Sequence, residues 1–154
     1  FLLSKLVKLQ EISKTMAQID KVRVIQRRLI SDDRGWFLKV STGTEEGIPS
    51  HTGEVYLTMG KPGQEKGGHY HPEAVEWFTI IDGSAVLKLE DLETHERKDI
   101  EMSFEKAITV FIPNNVVHMV VNNSDKDFIL LAYTDKFYDP KDTIAYTIEN
   151  KAES

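Results

Sequence analysis

The stretch GQEKGGHYHPEAVEWFTIIDG, residues 63–83, decides how this sequence is read. It sets His69 and His71 one residue apart, follows them with Glu76, and runs on through an apolar segment to Asp82-Gly83. Alternate residues of a β-strand face the same way, so a strand here presents both imidazoles to one side. Pro72 to Val75 gives the chain room to turn and return the Glu76 carboxylate on an adjacent antiparallel strand. Asp82-Gly83 between two apolar runs predicts a tight hairpin, because glycine accepts the positive φ that a two-residue turn requires. His118 follows His71 by 47 residues, after the turn Pro113-Asn114-Asn115.

An isolated His-x-His is usually a pair of exposed or structurally hydrogen-bonded rings. Joined to Glu76 and His118, the pair becomes a ligand set for a divalent metal ion. Three neutral imidazoles and a carboxylate suit Zn, Fe, Mn, Ni or Co, and a six-coordinate ion would keep two positions open for substrate or water. The chain has no cysteine, which excludes a disulfide framework, a thiolate metal site and a thiol nucleophile.

Outward from this stretch the texture is β. From Val22 onward, runs rich in Val, Ile, Phe and Tyr alternate with clusters of Gly, Pro, Asn and Asp. Strands are expected over 22–30, 36–41, 54–60, 69–71, 75–81, 84–90, 99–103, 108–113, 117–123 and 128–134, with a further one at 143–148. Such spacing predicts a sandwich or barrel. The runs Val75 to Ile81 and Phe128 to Tyr133 are apolar on both faces, as expected where one face lines a barrel and the other is covered by a second sheet or a partner subunit. A homodimer is therefore expected. Residues 1–16 read differently: Leu2, Leu6, Leu9 and Ile12 recur at helical spacing, so this segment is expected to be a short helical or non-native extension ahead of a single domain over 17–154.

With 154 residues and 40% hydrophobic content, one domain can bury one sizeable core. A net charge of −6 argues against a nucleic-acid or anionic-membrane partner, since both demand concentrated Lys and Arg. The apolar runs are far shorter than the roughly 18 residues that span a bilayer. A cytoplasmic location is expected.

Two spaced motifs carry a resemblance. Gly63-x5-His69-x-His71-x4-Glu76-x6-Gly83 is similar to the first motif of the cupins, and Pro113-x4-His118-x3-Asn122 to the core of the second. The second departs from the pattern at two glycine positions, held here by Ala107 and Asn115. Asn tolerates the left-handed conformation that glycine would supply, whereas Ala107 has no explanation in the sequence. The resemblance implies an all-β fold, the double-stranded β-helix or jelly-roll barrel, and a metal held by His69, His71, Glu76 and His118. His95, in a charged hairpin tip, and His51, in the long loop 43–53, are read as solvated or peripheral.

Within the cupins the chain resembles the sugar-nucleotide branch: deoxysugar-nucleotide 3,5-epimerases, 3,4-ketoisomerases and the cupin domains of capsular-polysaccharide enzymes. The markers are Asp33-Arg34-Gly35-Trp36-Phe37, Lys61-Pro62-Gly63, Lys66-Gly67-Gly68-His69 and Phe137-Tyr138-Asp139-Pro140. They imply an isomerase or epimerase of a keto-deoxysugar nucleotide that removes a proton next to the ketone. Lys66 or Arg34 would offset the diphosphate or enolate charge, and His69 would serve as base where no metal holds it. A metal-bound imidazole has no free lone pair, so with metal present the proton must go to another group, and Tyr133, Tyr138 and Glu73 remain open. The branch's proton-donating tyrosine falls on Ala132, one place from Tyr133. Trp36, Trp77 and Phe111 are expected in the core. A metal-dependent dioxygenase or small-acid isomerase, and a non-catalytic cupin that binds a small molecule or sugar, would suit the same ligand set.

Overall fold

The computed structural model describes residues 16–33, 35–38, 40 and 53–149. The expected helix within 1–16, apart from Met16, and the loop carrying His51 lie outside the described residues, as does Arg34. No described helix is long and apolar enough to cross a membrane.

The strands are β1 (Arg23–Gln26), β2 (Leu29–Asp32), β3 (Gly35–Leu38), β4 (Val55–Gly60), β5 (Glu65–Tyr70), β6 (Glu76–Asp82), β7 (Ser84–Asp91), β8 (Arg97–Ser103), β9 (Ile108–Ile112), β10 (Val116–Val121), β11 (Phe128–Thr134) and β12 (Ile144–Ala145). They form one five-stranded sheet in the order β1-β9-β6-β11-β4, a second in the order β12-β5-β10-β7-β8, and a separate β2-β3 pair. Every pairing is antiparallel. This is the jelly-roll barrel expected of a cupin. Several strand boundaries differ from the sequence reading. The run 22–30 breaks into β1 and β2, and the histidine strand begins at Glu65 and ends at Tyr70, leaving His71 just past its end.

The core is a set of alternating inward rows. Phe78 and Ile80 of β6, Phe128, Leu130 and Ala132 of β11, and Ile108, Val110 and Ile112 of β9 come from the first sheet. Ala85, Leu87 and Leu89 of β7 and Val116 and Val120 of β10 come from the second. Fully burying a side chain of this size contributes about 1.5–3 kcal/mol. That sum lets the barrel hold polar groups at one end, for Glu76 precedes Phe78 in its row and His118 lies between Val116 and Val120.

Trp77 is buried, as expected, and Phe111 is half-buried, but neither belongs to the inward-facing cluster. They sit on the opposite parity, on the outer face of the first sheet, where Trp77 packs 5.2 Å from Phe111 and 5.2 Å from Tyr133, ring centre to ring centre. Register explains the cluster, since Trp77 is the cross-strand partner of both residues. No side-chain placement is described for Trp36.

Candidate metal centre and its cavity

Glu76 on β6, His118 on β10, His69 on β5 and His71 beyond it converge at one end of the barrel. One potential ligand atom from each lies within 4.8 Å of all the others. Strand pairing brings them there, as His118 faces His69 directly across β10 and β5.

Hydrogen bonds fix how two of these rings point. His71 Nδ1 lies 2.7 Å from the Asp142 carbonyl, and His118 Nδ1 lies 3.1 Å from the Val116 carbonyl. A carbonyl only accepts, so Nδ1 carries the proton in each ring and Nε2 of the neutral ring presents a lone pair. Those Nε2 atoms stand 3.5 Å and 2.9 Å from Glu76 Oε2. His71 Nε2, His118 Nε2 and Glu76 Oε2 are all buried without a hydrogen-bond partner. Three buried acceptors turned on one another demand a cation or a proton between them. The donor set fits a divalent ion, whose ligands at about 2.0–2.2 Å would stand roughly 3 Å apart.

The electrostatics agree with this crowding. Burial alone would raise the Glu76 carboxyl, but the imidazoles of His118 and His71 beside it outweigh that and hold the group well below the usual carboxylate range. Burial opposes protonation of His71, yet the Glu76 carboxylate beside it and the Asp142 carbonyl leave its pKa raised. Burial, then repulsion from His118 and His71, lowers His69 to about 4 and keeps it neutral at physiological pH.

His69, His71 and Glu76 of the cluster line a cavity of about 290 Å³. Tyr138 lines this cavity, as do Lys136 and Phe137. Phe137 and Tyr138 are largely exposed. Tyr133 does not line it: β11 turns Ala132 inward and Tyr133 outward against Trp77. Lys66 borders a second cavity, about 160 Å³, which shares Tyr56 and His69 with the first. Glu73 is at the surface, paired with Lys136 at 2.7 Å.

Three contributors escaped the sequence reading. Asp142 accepts from the Glu73 and Ala74 amides through its two carboxylate oxygens, at 2.8 Å and 2.9 Å, while its carbonyl holds His71. Nothing in the sequence links it to residues about 70 positions earlier. Lys136 lies in a loop with no motif. Tyr56 had a signal: Val55, Leu57 and Met59 alternate along β4 as an outward apolar row, which leaves Tyr56 and Thr58 facing in. Its hydroxyl donates to Glu76 Oε1 at 3.1 Å, and burial, with the Glu76 charge and hydrogen bond, raises its pKa.

Two antiparallel sheets closed around an inward His/Glu cluster define a cupin. The chain belongs to the polysaccharide biosynthesis C-terminal domain family, whose sequence profile matches residues 30–146. It is 26% identical over 116 residues to UDP-2-acetamido-2,6-beta-L-arabino-hexul-4-ose reductase of Pseudomonas aeruginosa, a match that covers 75% of this chain and 30% of that protein. The capsular polysaccharide assembling protein CapF of Staphylococcus aureus superposes with a TM-score of 0.61 at 26% identity, over 79% of this chain and 33% of its own. The chain thus spans about a third of the length of these two relatives. A dTDP-6-deoxy-D-glucose-3,5-epimerase from Legionella pneumophila, in complex with dTDP-4-keto-L-rhamnose, superposes with a TM-score of 0.74 over 83% of this chain and 73% of its own. At 17% identity that likeness establishes the fold.

Proposed function

We propose that this chain is a metal-holding cupin that epimerises or isomerises a keto-deoxysugar nucleotide by removing a proton next to the ketone. The observation that carries the metal reading is the convergence of three buried, unpartnered acceptor atoms from His71, Glu76 and His118 beside an open cavity that His71 and Glu76 line. His69 completes the ligand set. A bound divalent ion would act as a Lewis acid on a substrate carbonyl. The sugar-nucleotide reading is supported by the family and by the names of the relatives, a hexulose-nucleotide reductase and a keto-sugar epimerase among them.

In this reading the cavity, rather than the second chamber, takes the sugar. Lys136 therefore replaces Lys66 as the basic group nearest the substrate's diphosphate. It is the sole Lys or Arg lining the cavity among the described residues, and its exposed pairing with Glu73 is held weakly enough to exchange for a phosphate. With His69 engaged as a ligand, the proton passes to another cavity group, and Tyr138 is the expected tyrosine that lines it. One observation favours a second version in which His69 is itself the base: its ring borders both cavities and has no nitrogen among the buried unpartnered atoms.

The test is solvent exchange. Purified protein is expected to hold about one divalent ion per chain, and H71A or E76A to lose most of it. Incubated in deuterated water with a 4-keto-6-deoxyhexose nucleotide, the protein should place deuterium on the carbon beside the ketone faster than a protein-free control. Loss of exchange with chelator and recovery with metal supports the Lewis-acid version, whereas indifference to chelator supports His69 as base. No exchange above background with any keto-sugar nucleotide, together with oxygen uptake on a small acid or phenol, would replace this reading with a dioxygenase.

A further inference from the structure

Glu76 has two oxygens, and the structure divides them. Oε2 faces the imidazoles of His71 and His118 and has no hydrogen-bond partner. Oε1 accepts the hydroxyl proton of Tyr56 at 3.1 Å. A carboxylate can hold a cation through one oxygen or both, and the choice decides how much of the ion remains for substrate.

We infer that Tyr56 is a positioning residue that restricts Glu76 to single-oxygen ligation through Oε2; the inference rests on the metal reading proposed above. Three features carry it. The Tyr56 hydroxyl is a donor toward Oε1, with the two oxygens 3.1 Å apart. Tyr56 projects from β4, whose ladder with β11 fixes it opposite Ala132. Ala132 is small and fully buried, so the inward face across from Tyr56 carries only a methyl group. On the other side of the carboxylate the rings of His71 and His118 are clamped by the Asp142 and Val116 carbonyls. Glu76 is thus held from both sides with a single oxygen turned toward the ligand set. Partners at this remove from an ion commonly orient the ligand itself. Tyr56 also borders both cavities, so the residue that orients Glu76 stands where a substrate oxygen would approach.

The experiment uses Mn(II) alone as probe. In wild-type protein loaded with Mn(II), water-proton relaxation counts the exchanging waters on the ion, and difference infrared spectra with 13C-labelled glutamate report the carboxylate stretches. The expected wild-type result is the wide splitting of single-oxygen ligation. Tyr56→Phe, which removes one oxygen and keeps the ring, should narrow the splitting and reduce the water count by about one, as Oε1 swings onto the ion. A narrow splitting in the wild type overturns the inference with no variant needed. So do an unchanged splitting and water count in a folded Tyr56→Phe protein. Failure of the wild type to bind Mn(II), Zn(II), Co(II), Ni(II) or Fe(II) would instead remove the metal reading beneath it.

Discussion

Glu90 illustrates how single residues hold this barrel together away from the proposed centre. Its carboxylate is buried on β7 yet accepts from Arg97 Nε at 2.6 Å and the Tyr146 hydroxyl at 2.7 Å, and pairs with His95 Nδ1 at 3.1 Å. Burial would raise its pKa, but the bonds from Tyr146, His95 and Arg97 outweigh that and lower it. A carboxyl with a depressed folded-state pKa stabilises above the ordinary carboxylate range and loses that contribution as pH falls through its folded value. Glu90→Gln is therefore expected to cost about 1–3 kcal/mol near neutral pH by replacing a buried charged acceptor with an amide that matches these donors poorly. In urea titrations the gap from wild type should close as pH falls below about 4; a gap independent of pH would refute the charge argument. At the same scale the two missing motif glycines become intelligible. Ala107 and Asn115 keep the left-handed backbone, with φ of 48° and 58°, so the turn persisted while its usual residue did not. Asn bears that conformation readily, and Ala bears it at a cost.

Between elements, the β5–β10 contact sets the centre. Gly67 has a φ of +92°, and a Cβ there would stand 2.8 Å from the His118 carbonyl, beside the register shift between His118 and Met119. The small residue lets β10 approach closely enough to bring His118 opposite His69. Gly63 also has a positive φ, +75°, but a Cβ there meets nothing within 4 Å. The pair makes a controlled test. Both alanine substitutions should lower the melting temperature through the left-handed penalty of about 1–2 kcal/mol. Only Gly67→Ala should also weaken metal retention, measured by dialysis against graded chelator, because it displaces His118. Equal retention in the two variants would contradict this account.

At the scale of the whole molecule, the outer face of the first sheet remains uncovered by the described residues along its β4 edge. Val55, Leu57 and Met59 are exposed by 59%, 62% and 43%, and pair across the ladder with Tyr133, Leu131 and Ile129. A continuous apolar face of this kind is rare on a monomer and is the natural seat for a second copy. The expected state at micromolar concentration is a dimer of about twice the 17.6 kDa chain mass. Leu57→Asp should shift it toward monomer, with the far-ultraviolet spectrum unchanged. A wild-type mass of one chain by light scattering would contradict the expectation.

The sequence by itself determined the all-β class, most strand positions and which four residues could hold a metal, because alternation, turn glycines and ligand spacing are local properties of a strand. Asp82-Gly83 and the rows through Phe78 and Phe128 are read directly from period and turn chemistry. The tertiary structure decided what depends on register and on contacts between distant segments. A one-residue change of parity turned Ala132 inward and Tyr133 outward, and put Trp77 and Phe111 on the outer face of the first sheet with it. Lys66 went to the second cavity and Lys136 to the first, for whose residues surround a cavity depends on chain closure. Asp142 reached His71 and Tyr56 reached Glu76 across 71 and 20 positions of sequence. No local pattern encodes such hydrogen bonds, since their partners meet only when distant segments of the chain are brought side by side.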